Sequence, residues 1–195
     1  MQLAQFQHNF SLPQSLPRLL LITVVIAGCF GFNKSVCADL GTASEYAVKA
    51  AYLYNFAKFV EWPTQAFPST TSPLVLCIVG KDPFGETLDT IAGKSVREWT
   101  LVVQHFAKVE ESTGCHILFI SASESSHLKT VLNQLKNAPI LTVSDIDGFV
   151  EAGGMIGLVD VDQHIRFNIN LLAVQRADLK ISSQLLKLGK VVIGN

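Results

Sequence analysis

Histidine is the side chain that most often binds metal ions or moves protons near neutral pH. After residue 40 the chain has four histidines, His105, His116, His127 and His164. They fall in four separate predicted elements, and neither an H-E-x-x-H nor an H-x-H pair is present. The sequence therefore predicts no metal site. We expect His127 on an exposed helix face and His116 in a buried strand.

Hydroxyl side chains cluster in SASESS, residues 121–126. A nucleophilic serine of the α/β-hydrolase type stands in G-x-S-x-G, which the chain lacks. Ser123 followed by Glu124 is typical of a helix N-terminus, where a hydroxyl caps the first turn and an acidic residue is favoured. A hydrolase that uses Ser121 or Ser123 with a histidine is the weakest functional hypothesis.

The segment GKDPFG, residues 80–85, follows a predicted strand and precedes a predicted short helix, as a phosphate-binding loop would. It lacks both Lys-Ser/Thr after the second glycine and the pattern G-x-G-x-x-G. We interpret it as a tight turn in which Pro83 fixes one backbone dihedral angle.

Charged residues of the second half give no catalytic pattern. Aspartates at 145, 147, 160 and 162 alternate as in calcium loops, but the closing glutamate of an EF-hand is missing, so turn chemistry explains them. Arg166 lies among apolar residues in the predicted strand IRFNIN. We expect it to form a buried ion pair or, alternatively, to bind a ligand.

The N-terminal region resembles an export signal. Arg18 precedes residues 19–32, an uncharged apolar run that is too short to span a bilayer, which takes about 20 residues. We expect residues 1–38 to be a signal peptide and residues 39–195 a periplasmic domain. A lipobox that leaves a lipidated Cys29 is a competing interpretation, and a retained membrane anchor is a third.

Loss of residues 1–38 changes both the charge and the cysteine content. It removes Arg18 and Lys34, which leaves 13 basic and 16 acidic side chains and a formal charge of −3. A mildly acidic domain without a basic cluster does not favour nucleic-acid binding. Cys77 and Cys115 remain, either as a disulfide in an oxidising compartment or as two buried thiols.

The hydrophobic pattern predicts an α/β fold. A helix is expected from a cap at Ser44 to Trp62, where Pro63 disfavours helical geometry. Apolar runs predict strands at residues 74–80, 99–106, 115–121 and 139–145, with a helix at residues 123–137. Residues 153–170 predict a β-hairpin, and residues 171–192 predict helical segments. We therefore expect one three-layer domain, with a mostly parallel central sheet flanked by helices and a late hairpin.

The first helix is unusually aromatic. Its stretch KAAYLYNFAKFVEWP covers residues 49–63 and is best explained as a core helix. Some of the aromatic surface is expected to face a partner, a second protomer or a ligand. A small-molecule pocket built from these aromatics with Arg166 would be lined by Tyr52, Phe56, Phe59 and Trp62.

Seven stretches occur in an order that resembles the YfiR family of exported bacterial proteins. They are KAAYLYNFAKFVEWP, CIVGKDPFG, CHILFIS, ILTVSD with GF, GGMI, IRFNIN and LKISSQLLKLGKVV. The resemblance runs from about residue 45 to residue 192. It implies a periplasmic repressor, without enzymatic activity or a cofactor, that binds the periplasmic sensor region of an inner-membrane diguanylate cyclase. It also implies an outer-membrane peptidoglycan-binding lipoprotein as a second partner, and often a homodimer.

The resemblance also implies roles for individual residues. Cys77 and Cys115 match the family's first cysteine pair, which favours the disulfide, whereas the second pair of some relatives is missing. The late strands suggest a partner-binding surface at Met155, Ile156, Arg166, Asn168, Asn170 and Val174. Ile156 and Val174 are the expected apolar anchors. Glu98 and Trp99 depart from the glycine and arginine that relatives commonly carry at that turn.

Overall fold

A computed structural model describes residues 37–194 of the chain. The expected signal segment lies outside these residues except for Cys37 and Ala38, which open the first helix. Within residues 37–194, no helix is both long enough and apolar enough to cross a membrane.

The first helix, α1, runs over Cys37–Phe59. It begins seven residues before the expected cap at Ser44, and it ends before the expected stop at Trp62. The early end has a tertiary cause, because the next two residues form strand β1 (Val60–Glu61), which pairs antiparallel with strand β9 (Lys180–Ile181) near the end of the chain. Long-range pairing therefore overrides the local helical pattern.

The other strands form one eight-stranded sheet. They are β2 (Leu74–Val79), β3 (Ser95–Val96), β4 (Trp99–Phe106), β5 (Ile117–Ile120), β6 (Leu141–Ser144), β7 (Ile156–Val161), β8 (His164–Asn170) and β10 (Lys190–Ile193). Their order across the sheet is β10-β8-β7-β6-β5-β2-β4-β3. Only the β7–β8 and β3–β4 pairs are antiparallel. This arrangement confirms the expected α/β fold with a mostly parallel sheet and a late hairpin.

Both faces of the sheet are covered. Along β2, Leu76 and Ile78 belong to a core cluster with α1, whereas Cys77 and Val79 belong to a second cluster on the opposite face. Helices α3 (Leu171–Arg176) and α4 (Ser183–Leu188) contribute to the first cluster, and α2 (Leu128–Gln134) contributes to the second. The strands are continuous apolar runs because both faces are buried.

The connections differ from the sequence expectation in two places. Residues 122–127 form a 3₁₀ helix before α2, and Ser123 does not cap it. The C-terminal segment contains β9 and β10 in addition to its helices. Further 3₁₀ helices lie at Thr64–Ala66, Gly85–Thr90 and Val109–Glu111.

Candidate partner-binding groove

A groove of about 650 Å³ lies between α1 and the β7–β8 hairpin. Val48, Tyr52 and Ile165 supply its apolar lining, and charged or polar side chains stand around them. These are Glu45, Asp160, Gln163, His164 and Arg166, with Ser44 and Gly41 at one end. Val48 is 44% exposed, although it belongs to a helix whose other face is deep in the core. The groove therefore combines accessible apolar surface with a charged rim.

Aromatic packing holds the two walls of the groove together. The Tyr52 hydroxyl donates to the Ile165 carbonyl at 3.0 Å. The rings of Tyr52 and Phe56 each meet the Phe167 ring edge to face, at centroid distances of 5.5 and 5.2 Å. Edge-to-face contacts of this kind add to the stabilisation from burial. The hairpin is thereby fixed against α1 at a set distance.

A buried ionic cluster anchors α1 beside the groove. Lys49, which is only 4% exposed, donates to Asp145 Oδ2 at 2.6 Å and pairs with Glu45 at 2.5 Å. The Tyr46 hydroxyl donates to the same Asp145 oxygen at 2.9 Å. Asp145 directly follows β6, so the cluster joins α1 to the carboxyl end of a central strand. Glu45 belongs both to this cluster and to the groove.

The cluster changes the acid–base behaviour of its members. Burial would lower the pKa of Lys49, but the hydrogen bonds to Asp145 and Glu45 outweigh it, so the pKa is raised. Burial, together with the hydrogen bond to Asp145, raises the pKa of Tyr46. Lys49 is therefore charged and Tyr46 neutral under physiological conditions. Sequence analysis missed this cluster, because Lys49 and Asp145 are 96 positions apart.

The hairpin turn places the second wall of the groove. Asp162 and Gln163 connect the strands with φ angles of 52° and 63°, the left-handed geometry of a two-residue type I′ turn.

Arg166 is exposed, and none of the ion pairs among residues 37–194 includes it. The expected buried ion pair of Arg166 is wrong, because its position in β8 projects from the sheet rather than into the core.

Most of the residues expected to bind a partner are buried. Ile156 and Val174 are fully inaccessible, Met155 is 6% exposed and Asn170 is 2% exposed. Asn170 accepts from the Ala173 N–H to cap α3 and donates to the Val150 carbonyl. The structure thus contradicts the expected anchor role of Ile156 and Val174, since α3 and the sheet cover them.

Two of the six expected partner-binding residues remain accessible. Arg166 is exposed and Asn168 is half-buried. Both lie on β8, so the accessible part of the expected surface is the hairpin that forms one wall of the groove.

The four aromatic residues expected in one pocket are separated. Tyr52 lines the groove, whereas Trp62 lines a different depression of about 220 Å³. Phe56 is fully buried, and Phe59 is half-buried against the core. Trp62 donates its indole N–H to the His116 carbonyl at 3.0 Å, which fixes the segment after α1.

The crevice at the carboxyl ends of β2 and β5, where parallel sheets commonly bind ligands, is filled by hydrogen bonds. The Ser121 hydroxyl donates to the Lys81 carbonyl at 2.6 Å, and the Ser123 hydroxyl accepts from the Lys81 N–H at 2.9 Å. A Cβ atom at Gly80 would lie 2.4 Å from the Ser123 Oγ. These serines therefore stabilise a tight turn at Gly80 and Lys81.

The structure shows the burial and the hydrogen-bond partners of three of the histidines. His116 is buried, as predicted, and its Nδ1 accepts from the Val75 N–H at 3.1 Å. Burial lowers the pKa of His116. His127 is exposed, and His105 pairs with Asp82 at 3.0 Å on the surface. The part of the chain that the structure describes holds no cluster of three potential metal ligands.

Cys77 and Cys115 form the expected disulfide, with their Cα atoms 5.9 Å apart. Cys77 lies in β2, and Cys115 lies just before β5, the neighbouring strand. Both cysteines belong to the core cluster on the face of the sheet opposite α1.

With the groove described, comparison with known proteins identifies the family. A family model described as YfiR/HmsC-like matches residues 46–190. The chain therefore belongs to the YfiR/HmsC-like family, which confirms the resemblance drawn from the seven sequence stretches. The matched region includes most of α1, all of the β7–β8 hairpin and the disulfide.

Among solved structures, one similar chain is the ABC domain from Streptococcus pneumoniae in complex with L-Trp. It is 13% identical, with a TM-score of 0.45, over 61% of this chain. The alignment spans 55% of that chain's length. A similarity at this level supports no argument about function.

Proposed function

We propose that the protein is a periplasmic regulator that binds the periplasmic sensor region of an inner-membrane diguanylate cyclase and holds the enzyme inactive. Cyclic-di-GMP and biofilm formation would fall as a result. The observation that carries the proposal is the YfiR/HmsC-like match over residues 46–190, nearly the whole domain. The proposed role is binding and requires no catalysis.

The groove between α1 and the hairpin is the surface that best supports a binding role. An interface that binds tightly pairs apolar anchors with a polar rim that excludes water. Val48 and Tyr52 provide accessible apolar surface, and Arg166 provides a planar cation that suits a carboxylate of the partner. The walls are already fixed by the Tyr52 hydrogen bond, so little ordering is needed on binding.

The buried residues of the expected surface have an indirect role in this proposal. Ile156 and Ile169 are paired across the β7–β8 ladder, and the Asn170 N–H donates to the Met155 carbonyl at 2.8 Å. These contacts set the base of the hairpin, and the hairpin presents Arg166 and Asn168. Substitution of Ile156 or Val174 would therefore weaken binding by displacing the hairpin.

Release of the enzyme is proposed to involve a second partner, an outer-membrane lipoprotein with a peptidoglycan-binding domain. It would sequester the regulator and so free the cyclase. An envelope location for the chain is part of the same proposal.

The experiment compares a variant of the groove with a matched charge change elsewhere. Arg166→Glu reverses a charge on the groove, and Lys129→Glu makes the same change on the exposed surface of α2. We expect overproduction of the natural chain or of Lys129→Glu to lower cyclic-di-GMP, and Arg166→Glu to lose this effect. In-cell crosslinking followed by mass spectrometry should recover a diguanylate cyclase with the natural chain and less with Arg166→Glu.

Unchanged cyclic-di-GMP after both deletion and overproduction, with no membrane enzyme recovered, would contradict the proposed function. If Arg166→Glu represses as well as Lys129→Glu does, the regulator role stands but the groove is not its binding surface.

A second candidate function is a small-molecule binding module that feeds another membrane sensor, such as a histidine kinase. It is favoured by the volume of the groove, about 650 Å³, which lies within the usual range of ligand pockets. Arg166 and Tyr52 would recognise an aromatic or amino-acid ligand that carries a carboxylate. A thermal-shift screen of such ligands should raise the melting temperature of the natural chain but not of Arg166→Ala. No shift with any ligand would rule against this candidate.

A further inference from the structure

Trp99 ends a stack of aromatic rings that runs from the core to the surface. The ring of the buried His116 lies 4.2 Å from the ring of Phe67. The Phe67 ring lies 4.4 Å from the ring of Trp99, with an angle of 4° between their planes. Two rings at these distances cannot share one face of Phe67, so Phe67 lies between the other two. Both faces of Phe67 are therefore covered, whereas Phe67 covers only one face of Trp99.

The outer part of this stack lines a cavity of about 440 Å³. Trp99 and Phe67 form its apolar wall, and Trp99 is only half-buried. The volume lies within the usual range of ligand pockets. Trp99 is held by its pairing with Val96 across the β3–β4 turn, and Phe67 directly follows the 3₁₀ helix Thr64–Ala66. The cavity therefore presents a flat aromatic surface that is already formed.

Polar groups surround this aromatic surface. They are the hydroxyl side chains and the carboxylate of Thr64, Ser69, Thr70 and Glu98. Within residues 37–194, no group accepts from the indole N–H of Trp99, and this N–H is not buried. The other tryptophan differs, because Trp62 donates its N–H to the His116 carbonyl. The cavity thus offers both donors and acceptors of hydrogen bonds beside one apolar wall.

The charge and the shape of the cavity distinguish between classes of ligand. Glu98 is the only charged residue that lines it, which disfavours an anion. A quaternary ammonium group is typically held in a cage of several aromatic faces. Here the rings are parallel and only one face is open. A sugar ring of the glucose type has a flat face of C–H groups and a rim of hydroxyls, which matches a flat apolar wall with polar groups around it.

We propose that this cavity binds a neutral β-1,4-linked glycan whose sugar rings have the glucose configuration. One ring stacks on the open face of Trp99, and its hydroxyls donate to the Glu98 carboxylate in charge-assisted hydrogen bonds. The ring substituents are equatorial in this configuration, so the stacked face carries only C–H groups. The Trp99 N–H lies in the plane of the indole and donates to the next sugar unit.

This cavity is distinct from the groove between α1 and the hairpin, because no residue lines both. The inference therefore goes beyond the proposed function and does not depend on it.

Tryptophan fluorescence gives a direct test, because the chain has only two tryptophans. Trp62 is 8% exposed, so Trp99 is the accessible one. The probes are cellohexaose, a β-1,4-linked glucose hexamer, and chitohexaose, its N-acetylglucosamine counterpart. We expect at least one of them to protect the natural chain from quenching by acrylamide. The remaining fluorescence of Trp99→Phe should show no protection.

Isothermal titration calorimetry with the same hexamers measures the contribution of each side chain. We expect Trp99→Ala to raise Kd roughly tenfold or more, since the stacking surface is lost. Glu98→Gln should raise Kd severalfold, because it replaces charge-assisted hydrogen bonds with neutral ones. Glu86→Gln makes the same change at an exposed carboxylate outside the cavity and should leave Kd unchanged. Glu98→Gln keeps the shape of an exposed side chain, so the test stands even where Trp99→Ala does not fold.

No protection of the natural chain by either hexamer at millimolar concentration would overturn the proposal. Binding that is equally tight in Glu98→Gln and Trp99→Ala would also overturn it, because the glycan would then lie elsewhere. Protection by tetramethylammonium or by indole, with none by the hexamers, would assign the cavity to a cation or to an aromatic ligand instead.

Discussion

On one face of the sheet, the long helix α1 packs aromatic rings against β8 and carries a buried ionic cluster at the carboxyl end of β6. On the other face, the cover comes from a seven-residue helix, the short 3₁₀ helix Val109–Glu111 and the loop that carries Phe149, and a disulfide joins β2 to Cys115, just before β5. Short segments bury little apolar surface, so the second face gains a covalent link where the first relies on packing. Different treatments should therefore destabilise the two faces.

Phe56→Ala should give the largest loss and should affect the α1 face. Phe56 is fully buried and contacts both Tyr52 and Phe167, so its removal leaves a large cavity. We expect the free energy of unfolding to fall by about 3–5 kcal/mol. Urea denaturation followed by circular dichroism measures it. Val48→Ala, on the exposed side of the same helix, is the control and should cost less than about 0.5 kcal/mol. Equal losses in both variants would contradict this account of α1.

Loss of the disulfide should weaken the opposite face by a similar or slightly smaller amount. Cys77 and Cys115 are 38 positions apart, and a crosslink over such a loop stabilises by about 3–4 kcal/mol in the chain-entropy model. We expect dithiothreitol to lower the urea midpoint of the natural chain. The Cys77→Ala/Cys115→Ala variant should start at the lower midpoint and be indifferent to the reductant. A midpoint that dithiothreitol leaves unchanged would show that the second face does not depend on the bond.

Lys49→Met should have an intermediate effect on the α1 face. The substitution keeps the length of the side chain but leaves Asp145, which is nine-tenths buried, without its cation. We expect a loss of about 2–3 kcal/mol at neutral pH. Lys49→Met/Asp145→Leu should recover part of this loss, since no unpaired buried charge remains.

The ionic cluster also predicts a dependence on alkaline pH. The native pKa of Lys49 is raised above its unfolded value, so the native state binds the proton more tightly. The stabilisation is therefore fully present below about pH 10 and is lost as the pH rises through the native pKa. Unfolding free energies measured from pH 8 to 11 should fall more steeply for the natural chain than for Lys49→Met. Parallel curves would contradict this role of Lys49.

Protonation of His116 should have the smallest effect on the free energy of unfolding, and it should act at mildly acidic pH. Burial lowers its native pKa, so below about pH 6.5 the unfolded chain binds a proton that the native state excludes. Stability should therefore decrease as the pH falls, by at most about 1.4 kcal/mol per pH unit. His116→Gln should flatten this part of the curve between pH 6.5 and 5. An unchanged slope would mean that other groups cause the acid sensitivity.

The sequence predicted those features that follow from local pattern or from the family resemblance. Continuous apolar runs placed β2 and β4 within a residue of their observed bounds, because strands buried on both faces leave that signal. The turn residues DVDQ placed the late hairpin. From the residues alone, Cys77 and Cys115 could be either a disulfide or two free thiols. The family resemblance favoured the disulfide that the structure contains.

Features that depend on distant parts of the chain could not be predicted in this way. Strands β1 and β9 are two residues each and exist only because they meet. The burial of Ile156 and Val174 depends on how α3 covers the sheet. Arg166 is a different case, because its alternation with apolar neighbours in β8 is typical of an accessible polar face, and the expectation of a buried ion pair overlooked this pattern. The groove could not be predicted either, because it combines residues more than 100 positions apart in the chain.

The pairing of β1 with β9 has a consequence for how the chain is made. Val60 lies opposite Ile181, and Tyr52 bonds to Ile165, 113 positions later. During synthesis from the N-terminus, α1 and β1 therefore lack their partners in β8 and β9 until nearly the whole chain has emerged from the ribosome. The nascent protein has no complete core until then, because contacts between distant segments form last. The order of synthesis thus delays folding.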